Sequence, residues 1–194
     1  MDLSNFFSSI KLNRVFSLSH FLLKRLDERI EEFKYSQADE DVLSQLVTFK
    51  KQLPQGAPTS PAMANLVAMN LDKDLAELCD KSNLTYTRYA DDLAFSHADV
   101  KYDIYAMLPA IIEIITTNGF IINRKKTRVM KPHKRMSVTG IVINDKLGVP
   151  KWKWRNFRAR LHNLVQDGNP IDQLEYQELR GYSEWVKTLN HKRG

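Results

Sequence analysis

Apolar residues recur at helical spacing through the early part of the chain. Between residues 12 and 34 they lie three or four positions apart, which predicts one long amphipathic helix. Its predicted buried face consists of Val15, Phe16, Leu22, Leu23, Leu26 and Ile30. The acidic stretch SQADEDV then gives a loop and capping signal, and a shorter helix is predicted over residues 42–49.

Proline and glycine divide the next part of the chain. In LPQGAPTSPAMANL a loop is predicted to end at Ser60, the expected N-cap of a helix whose first residue is Pro61. Small residues would let this helix pack closely on a neighbour: Ala62, Ala64 and Ala68. A later helix is predicted to end at Asn118 and Gly119. Its core-facing part contains Ile111, Ile112, Ile114 and Ile115.

Short β-rich segments alternate with these helices. MDLSNFFSSI opens with the end of a strand, LTYTRYADDLAFSH contains two strands, and GFIIN and TRVM are short strands. MSVTGIVIN followed by DKLGV is a hairpin signal, and the remainder is helical with an interruption at residues 168–170. The order β-α-α-β-β-α-β, then a hairpin and helices, predicts an α+β fold. Its sheet has helices packed on one face and is followed by a helical segment.

Composition is that of an ordinary globular protein. The 194 residues suffice for one domain, or one and a half, with a substantial core. No stretch approaches the ~20 apolar residues of a membrane span, so we expect no membrane partner. The single cysteine, Cys79, excludes a disulfide framework and suits a reducing compartment, which predicts a cytoplasmic protein.

Charge is distributed unevenly along the chain, whose net charge is +6. Up to Asn118 there are 12 Lys or Arg against 17 Asp or Glu, and from Gly119 onward there are 17 against 6. This bias runs through several elements, which favours a polyanionic partner over a merely solvated face. Aromatic residues interleaved with the bases favour nucleic acid, although these rings could equally belong to a core: Trp152, Trp154 and Phe157.

Asp91 and Asp92 are the chemically unusual pair, because they lie between two predicted strands. A charged hairpin turn is one explanation. The other is a cation site, which a third carboxylate at the end of a neighbouring strand would complete. Asp2 is that candidate, and two metal ions ~4 Å apart could then promote an in-line phosphoryl displacement.

Five ordered motifs give the chain a family resemblance. DLSNFF, LPQGAPTSPAMANL, YADD, GFIINRKKTRVM and VTGIVIN over residues 2–144 resemble the palm of a reverse transcriptase, with an antiparallel sheet. QGAPTSP, KKTR and VTGIVIN are most similar to bacterial retron-type enzymes, and RNFRARLHNL and LRGYSEWVKTLN resemble their thumb. The resemblance implies a palm over residues 1–131, a primer-grip hairpin over 132–150 and a partial helical thumb over 151–194.

The resemblance departs at the front, because family members have a fingers region before the first aspartate motif. This chain begins one residue before Asp2. We therefore expect the fingers to be missing and to be supplied by the same native chain or in trans. Without them, we expect the chain to fold but to synthesise little DNA.

The resemblance also implies residue roles. Asp2 and Asp91 correspond to metal ligands, with the carbonyl of Leu3 beside them, and Asp92 corresponds to the third carboxylate. Hard oxygen ligands and a phosphate-bearing substrate imply Mg²⁺, or Mn²⁺. Lys126 corresponds to a lysine that protonates the pyrophosphate leaving group. Lys125, or phosphate binding without proton transfer, is the alternative.

Further roles concern the nucleotide and the nucleic acid. Phe7 would lie under the sugar and exclude a ribose 2′-hydroxyl, or would be a core residue beside Phe6. Gln55, in a loop that Gly56 makes permissive, would contact the incoming nucleotide or be a solvated loop residue. Tyr89 would approach the primer end, and Thr139 and Gly140 would belong to the primer grip. Arg155 and Arg158, on one helical face, would contact the duplex.

The implied function is RNA-directed DNA polymerisation. Its substrates would be dNTPs, with an RNA template and a DNA or RNA primer duplex. The resemblance also implies a place in a retron or related phage-defence system, with an effector protein as a partner. A non-catalytic nucleic-acid-binding fragment and a metal-dependent phosphodiesterase remain as alternatives. So does a group II intron-like or other defence-associated lineage.

Overall fold

The structure is a computed structural model that describes residues 1–131, 133–167 and 172–191. It divides into two compact units, Met1–Val129 and Met130–Gly194. Within the described residues no helix is long and apolar enough to cross a membrane. The three-part division of the chain into palm, primer grip and thumb stays a prediction.

The first unit combines helices with a small antiparallel sheet. Its helices are α1 (Phe6–Ser9), α2 (Leu12–Asp27), α3 (Gln37–Leu46), α4 (Ser60–Val67), α5 (Met69–Lys81) and α6 (Leu108–Thr117), the last preceded by a 3-10 turn, Ile104–Met107. Its strands are β1 (Thr85–Tyr89) and β2 (Asp92–Ser96). The predicted mixture of helices and antiparallel strands is therefore present.

The beginning of the chain extends this sheet. Residues 1–4 lie between β2 and residues 121–123, through bridges from Asp2 to Asp92 and from Leu3 to Ile122. The Leu3 amide donates to the Asp91 carbonyl at 2.8 Å, and the Asn123 amide donates to the Asp2 carbonyl at 2.8 Å. The expectation that Asp2 lies on an extended segment beside the hairpin is thus confirmed.

A shared apolar core holds the helices against the sheet. Its fully buried side chains include Leu3, Ile10, Val15, Leu53, Leu71, Leu75, Leu93, Ile111, Ile115 and Phe120. Burying a side chain of this size contributes about 1.5–3 kcal/mol each. Because residues from the first segment, the helices and β2 all take part, the core fixes the elements that carry the aspartates.

Two helix predictions were wrong in their bounds. Helix α2 ends at Asp27 rather than at residue 34, and the chain turns before Ile30. Leu26 and Ile30, which were predicted to be buried, are 42% and 49% exposed. Helix α3 begins at Gln37 because Ser36 and Asp39 form a capping box, and it ends at Leu46. The Ser36 backbone amide and hydroxyl both donate to the Asp39 carboxylate at 2.8 Å, which lowers the pKa of Asp39.

The other element predictions had mixed outcomes. Asn118 and Gly119 end α6 as expected, with Gly119 at φ 76°. Ala64 and Ala68 are fully buried, but Ala62 is exposed. The TRVM strand is absent from the described residues, because the amide of Thr127 turns back to the Asn123 carbonyl at 3.1 Å.

The second unit contains the predicted hairpin and helices. Strands β3 (Ser137–Val138) and β4 (Ile141–Val142) pair antiparallel across Thr139 and Gly140, whose φ values are 48° and 82°. Positive φ at both turn residues is typical of a tight two-residue hairpin. Helices α7 (Lys151–Asp167) and α8 (Gln173–His191) follow. The predicted interruption at 168–170 lies outside the described residues.

Aromatic and ionic contacts join α7 to α8. The Phe157 ring lies 4.7 Å from that of Tyr182 and 5.6 Å from that of Trp154. Arg160 binds Glu175 and Glu178 of α8, each at 3.2 Å. Of the rings that suggested nucleic-acid binding, Phe157 therefore contributes to packing between the helices, whereas Trp154 stacks on Phe157 within α7 and is 38% exposed, and Trp152 is 54% exposed.

Candidate active site

The tip of the β1–β2 hairpin has an unusual backbone. Tyr89 pairs with Asp92, so Ala90 and Asp91 form the turn between them. Ala90 adopts φ 52°, a left-handed conformation that costs a non-glycine residue about 1–2 kcal/mol. Strain of this kind persists only where surrounding contacts impose it, and it is frequent at functional sites.

Arg88 supplies the contacts that hold the tip. Its Nη1 donates to the Ala90 carbonyl at 3.1 Å and to Asn65 Oδ1 of α4 at 2.9 Å. Its Nε donates to Asp72 Oδ1 of α5 at 2.7 Å, and Nη2 binds the other carboxylate oxygen. The Arg88 side chain is only 8% exposed, so the hairpin is fixed to two helices by a nearly buried, bidentate ion pair.

Tyr86 belongs to the same network. Its hydroxyl donates to Asp72 Oδ1 at 2.8 Å. Burial, followed by this hydrogen bond, raises the pKa of Tyr86 far above its ordinary value. The hydrogen bond to Asp72 likewise raises the pKa of Arg88, so the donors of this network keep their protons.

The Asp2 backbone is fixed by the sheet, and the Asp2 side chain forms an ion pair with Lys126. Its Oδ2 lies 3.1 Å from the Nζ of Lys126. The Asp2 side chain is 16% exposed, whereas that of Lys126 is 60% exposed. Lys126 thus neutralises a half-buried carboxylate while its own ammonium remains accessible to solvent.

A cleft of about 830 Å³ brings six of the predicted site residues together. Its walls include Asp2, Leu3, Phe7, Gln55, Asp91 and Lys126. Asp92 is not among the lining residues and instead bridges to Asp2 through the backbone. Tyr89 is 74% exposed at the end of β1 and also lies outside the cleft lining.

The loop that carries Gln55 is fixed at its start. The Ser60 hydroxyl donates to the Pro54 carbonyl at 2.6 Å, so it is not the predicted N-cap, a position that Thr59 occupies. Gly56 adopts φ 89°, and a Cβ there would meet nothing within 4 Å. Glycine is therefore needed for its backbone conformation rather than for space.

Phe7 packs against the core, one of its two predicted roles, whereas its role under the sugar stays a prediction. It is half-buried, and its ring lies 5.4 Å from that of the buried Phe6. It also lines the cleft. Packing against the core therefore fixes the position at which its ring meets the cleft.

The donor set fits a hard divalent cation in type. Two residues with carboxylate side chains, Asp2 and Asp91, line one cleft together with Leu3, and oxygen donors are those that Mg²⁺ and Mn²⁺ prefer. Over the described residues, however, no group of three or more His, Cys, Asp or Glu side chains forms a ready metal-binding cluster. Asp2 is paired with Lys126 in this arrangement.

Other predicted residues lie in the second unit. Thr139 and Gly140 form the β3–β4 turn, and Arg155 and Arg158 are exposed on α7. In the part of the chain that the structure describes, neither arginine forms a salt bridge, unlike Arg160 on the same helix.

Sequence reasoning missed Lys50 and the Arg88–Asp72 pair. Lys50 lines the cleft from a turn that precedes LPQG. Asp72 and Arg88 are 16 positions apart, and the only available signal was an arginine inside a strand beside the aspartates. Neither Lys50 nor the Arg88–Asp72 pair belongs to a sequence pattern whose spacing indicates such a contact.

Comparison with known proteins is consistent with this arrangement. Residues 1–143 match the family described as reverse transcriptase (RNA-dependent DNA polymerase). The retron Ec86 reverse transcriptase of Escherichia coli is 33% identical over 193 residues, covering 99% of this chain and 55% of that protein. The retron Mx65 reverse transcriptase of Myxococcus xanthus is 33% identical over 197 residues, covering 98% and 45%.

These curated relatives are longer than the present chain, which spans about half of their length. The similarity nevertheless extends through both units of the structure, since it covers almost all of the 194 residues. The chain therefore belongs to the reverse transcriptase (RNA-dependent DNA polymerase) family, as a member of bacterial retron type.

Proposed function

We propose that this chain provides the palm and part of the thumb of an RNA-directed DNA polymerase. It would add deoxynucleotides to the 3′-hydroxyl of a primer on an RNA template. The observation that carries the proposal is the single cleft shared by Asp2, Asp91 and Lys126, inside the residues that match the family. Similarity to retron enzymes supports a role in a cytoplasmic retron or related defence system, with an effector protein as partner.

The carboxylates are assigned to metal binding. Reverse transcriptases generally use divalent metal ions, and we assign Mg²⁺, or Mn²⁺, to Asp2 and Asp91, with Asp92 as the third carboxylate. When bound, such ions stabilise the charge that develops during phosphoryl transfer. Asp2 and Asp91 both line the cleft in which the ions would bind. The buried side chain of Leu3 fixes the backbone next to Asp2, and the Leu3 amide donates to the Asp91 carbonyl.

Lys126 is assigned to the leaving group. It lines the cleft, whereas Lys125 is not among the lining residues, which favours Lys126 of the two. Its exposed ammonium can donate a proton or a hydrogen bond to a departing pyrophosphate oxygen. Its contact with Asp2 keeps it at the cleft until a phosphate-bearing substrate competes for it.

The remaining assignments concern substrate binding. Gln55 and the Gly56 loop contact the incoming nucleotide, and Tyr89 approaches the primer end. Thr139 and Gly140 belong to the primer grip. Because the chain spans about half of its relatives' length, we also propose that a fingers segment, on the same native chain or in trans, completes the grip on template and triphosphate.

Primer extension tests the proposed function. Two polypeptides are incubated with a primed RNA template, dNTPs and Mg²⁺: the 194-residue chain, and the protein encoded by the longest native reading frame that contains it. We expect the longer protein to extend the primer in a template-directed reaction. Strand cleavage without dNTPs would instead identify a phosphodiesterase, and nucleic-acid binding without either reaction would identify a non-catalytic fragment.

Replacing Phe7 with alanine should relax sugar discrimination. Removing the ring opens space at the cleft wall, so incorporation of ribonucleotides relative to deoxynucleotides should rise by about 10-fold or more. Competitive primer extension with matched rNTP and dNTP measures the ratio. Phe21→Ala, which removes an exposed ring outside the cleft lining, is the control. An unchanged ratio in Phe7→Ala would leave Phe7 with a packing role only.

Neutralising Arg155 and Arg158 together should weaken duplex binding. Each arginine that neutralises a phosphate releases counterions, so the slope of log K against log salt should fall by about 1 to 2 units in the double glutamine variant. Fluorescence anisotropy over a salt series measures it. Arg160→Gln is the matched control, because that arginine is already paired with Glu175 and Glu178. Equal slopes in both variants would contradict the assignment.

A further inference from the structure

A tight turn precedes the Gln55 loop and has an unexpected composition. The amide of Phe49 donates to the Gln52 carbonyl at 2.9 Å, and the amide of Gln52 donates to the Phe49 carbonyl at 3.2 Å. The two residues between them, Lys50 and Lys51, have φ values of 49° and 60°. A turn with two left-handed residues favours asparagine or glycine, so two lysines are locally unfavourable here.

The turn is anchored firmly to the rest of the first unit. The amide of Leu12 donates to the Lys51 carbonyl at 3.0 Å, and the amide of Leu53 donates to the Ile10 carbonyl at 3.1 Å. Lys11 Nζ also donates to Gln52 Oε1 at 2.7 Å. These contacts fix the backbone of the turn, and therefore the point from which each lysine side chain starts.

Only one of the two lysines faces the cleft. Lys50 lines it together with Asp2, Asp91 and Lys126, whereas Lys51 is not among the lining residues. Lys126 is committed to Asp2, but Lys50 forms no salt bridge within the described residues. Its ammonium lies 5.4 Å from the centre of the exposed Phe49 ring, which also lines the cleft. Lys50 therefore offers the cleft a cation that no carboxylate neutralises.

We infer that Lys50 binds the β- and γ-phosphates of the incoming deoxynucleoside triphosphate. An unpaired ammonium on a wall of the cleft would reduce the repulsion between the carboxylates and a polyanion, and would bind phosphate oxygens directly. A volume of about 830 Å³ is in the range of small-molecule sites, which favours a nucleotide over a nucleic-acid strand.

This inference rests on the proposed function, and the turn itself provides a matched pair of variants. Lys50→Asn and Lys51→Asn remove the same charge from neighbouring positions with similar φ. Asparagine suits both positions, so both variants should fold and be at least as thermally stable as the parent. Only Lys50→Asn should impair nucleotide binding.

The experiment measures single-nucleotide addition on a primed RNA template by the protein that the longest native reading frame encodes. Lys50→Asn should raise the KM for dNTP about 10-fold, as expected for a lost charged hydrogen bond, while Lys51→Asn should change it less than about 2-fold. Lys50→Arg should restore most of the loss. The Kd for template–primer, measured by anisotropy, should be the same in all variants.

Equal effects of the two asparagine substitutions would overturn the inference, because they would indicate a general charge effect. A weaker template–primer Kd in Lys50→Asn with an unchanged KM would also overturn it, because it would indicate a strand contact. If the parent does not extend primers, the proposed function fails. Calorimetric titration with dTTP then decides the inference: weaker binding in Lys50→Asn alone supports it, and equal binding in both variants overturns it.

Discussion

Asp91→Asn should abolish nucleotide addition and leave the fold almost unchanged. We expect the extension rate to fall by at least about 10³-fold, because asparagine keeps the shape of the side chain but removes the charge that would hold a metal ion. Among the described contacts, only the backbone carbonyl of Asp91 forms a hydrogen bond, to the Leu3 amide. The change in the free energy of unfolding should therefore stay within about 0.5 kcal/mol.

Primer extension and urea unfolding measure the two effects. Asp41→Asn, an exposed carboxylate on α3, is the matched control and should leave both unchanged. A variant that keeps its rate after Asp91→Asn would remove this carboxylate from the site. A large loss of stability would mean that the residue supports the hairpin rather than the chemistry.

Arg88→Met should produce the largest loss of stability among these variants. It removes the nearly buried partner of the pair, leaves the Asp72 carboxylate with the Tyr86 hydroxyl as its remaining described donor, and removes the described donor to the Ala90 carbonyl. Breaking such a pair costs about 3–5 kcal/mol, and we expect about 3 kcal/mol because Asp72 is 35% exposed. The hairpin tip would also lose the contact that opposes relaxation of Ala90, so activity should fall even where the protein remains folded.

Chemical unfolding of the variant measures this loss. Lys34→Met, which removes an exposed pair with Asp27, is the control and should cost less than about 1 kcal/mol. Arg88→Lys keeps the charge but not the bidentate geometry, and should fall between parent and Arg88→Met. A cost for Arg88→Met as small as that for Lys34→Met would contradict the role assigned to this network.

Much of the fold followed from local sequence patterns. The hairpin around Asp91 and Asp92, the end of α6 at Gly119 and the β3–β4 turn each have a local signal, either alternation or a residue suited to positive φ. The end of α2 has none. Apolar spacing continues from Leu26 to Ile30 although the helix ends between them, at Asp27, because periodicity does not report where the chain leaves the core.

In the candidate site, too, residues within recognisable motifs could be predicted and residues outside them could not. Motifs identified Asp2, Asp91 and Gln55, which the cleft brings together. Lys50 could not be predicted, since a lysine in a left-handed turn contradicts the local preference that a sequence pattern uses. Ser60 was assigned to the wrong bond for a related reason: its hydroxyl contacts Pro54, and a capping signal does not distinguish this contact from an N-cap.

The position of residues 1–4 inside the sheet determines how the two walls of the cleft are connected. One wall carries Asp91 and Asp2, whose neighbour Leu3 donates its amide to the Asp91 carbonyl. The other is the Phe49–Gln52 turn, which is tied to Leu12 through the Lys51 carbonyl and is followed by Leu53, whose amide donates to the Ile10 carbonyl. The covalent path between these attachment points passes through α1, a helix of 4 residues. Any change in the length of α1 would therefore alter the width of the cleft directly, which leaves this short segment with far less tolerance for insertions than the exposed loops around it.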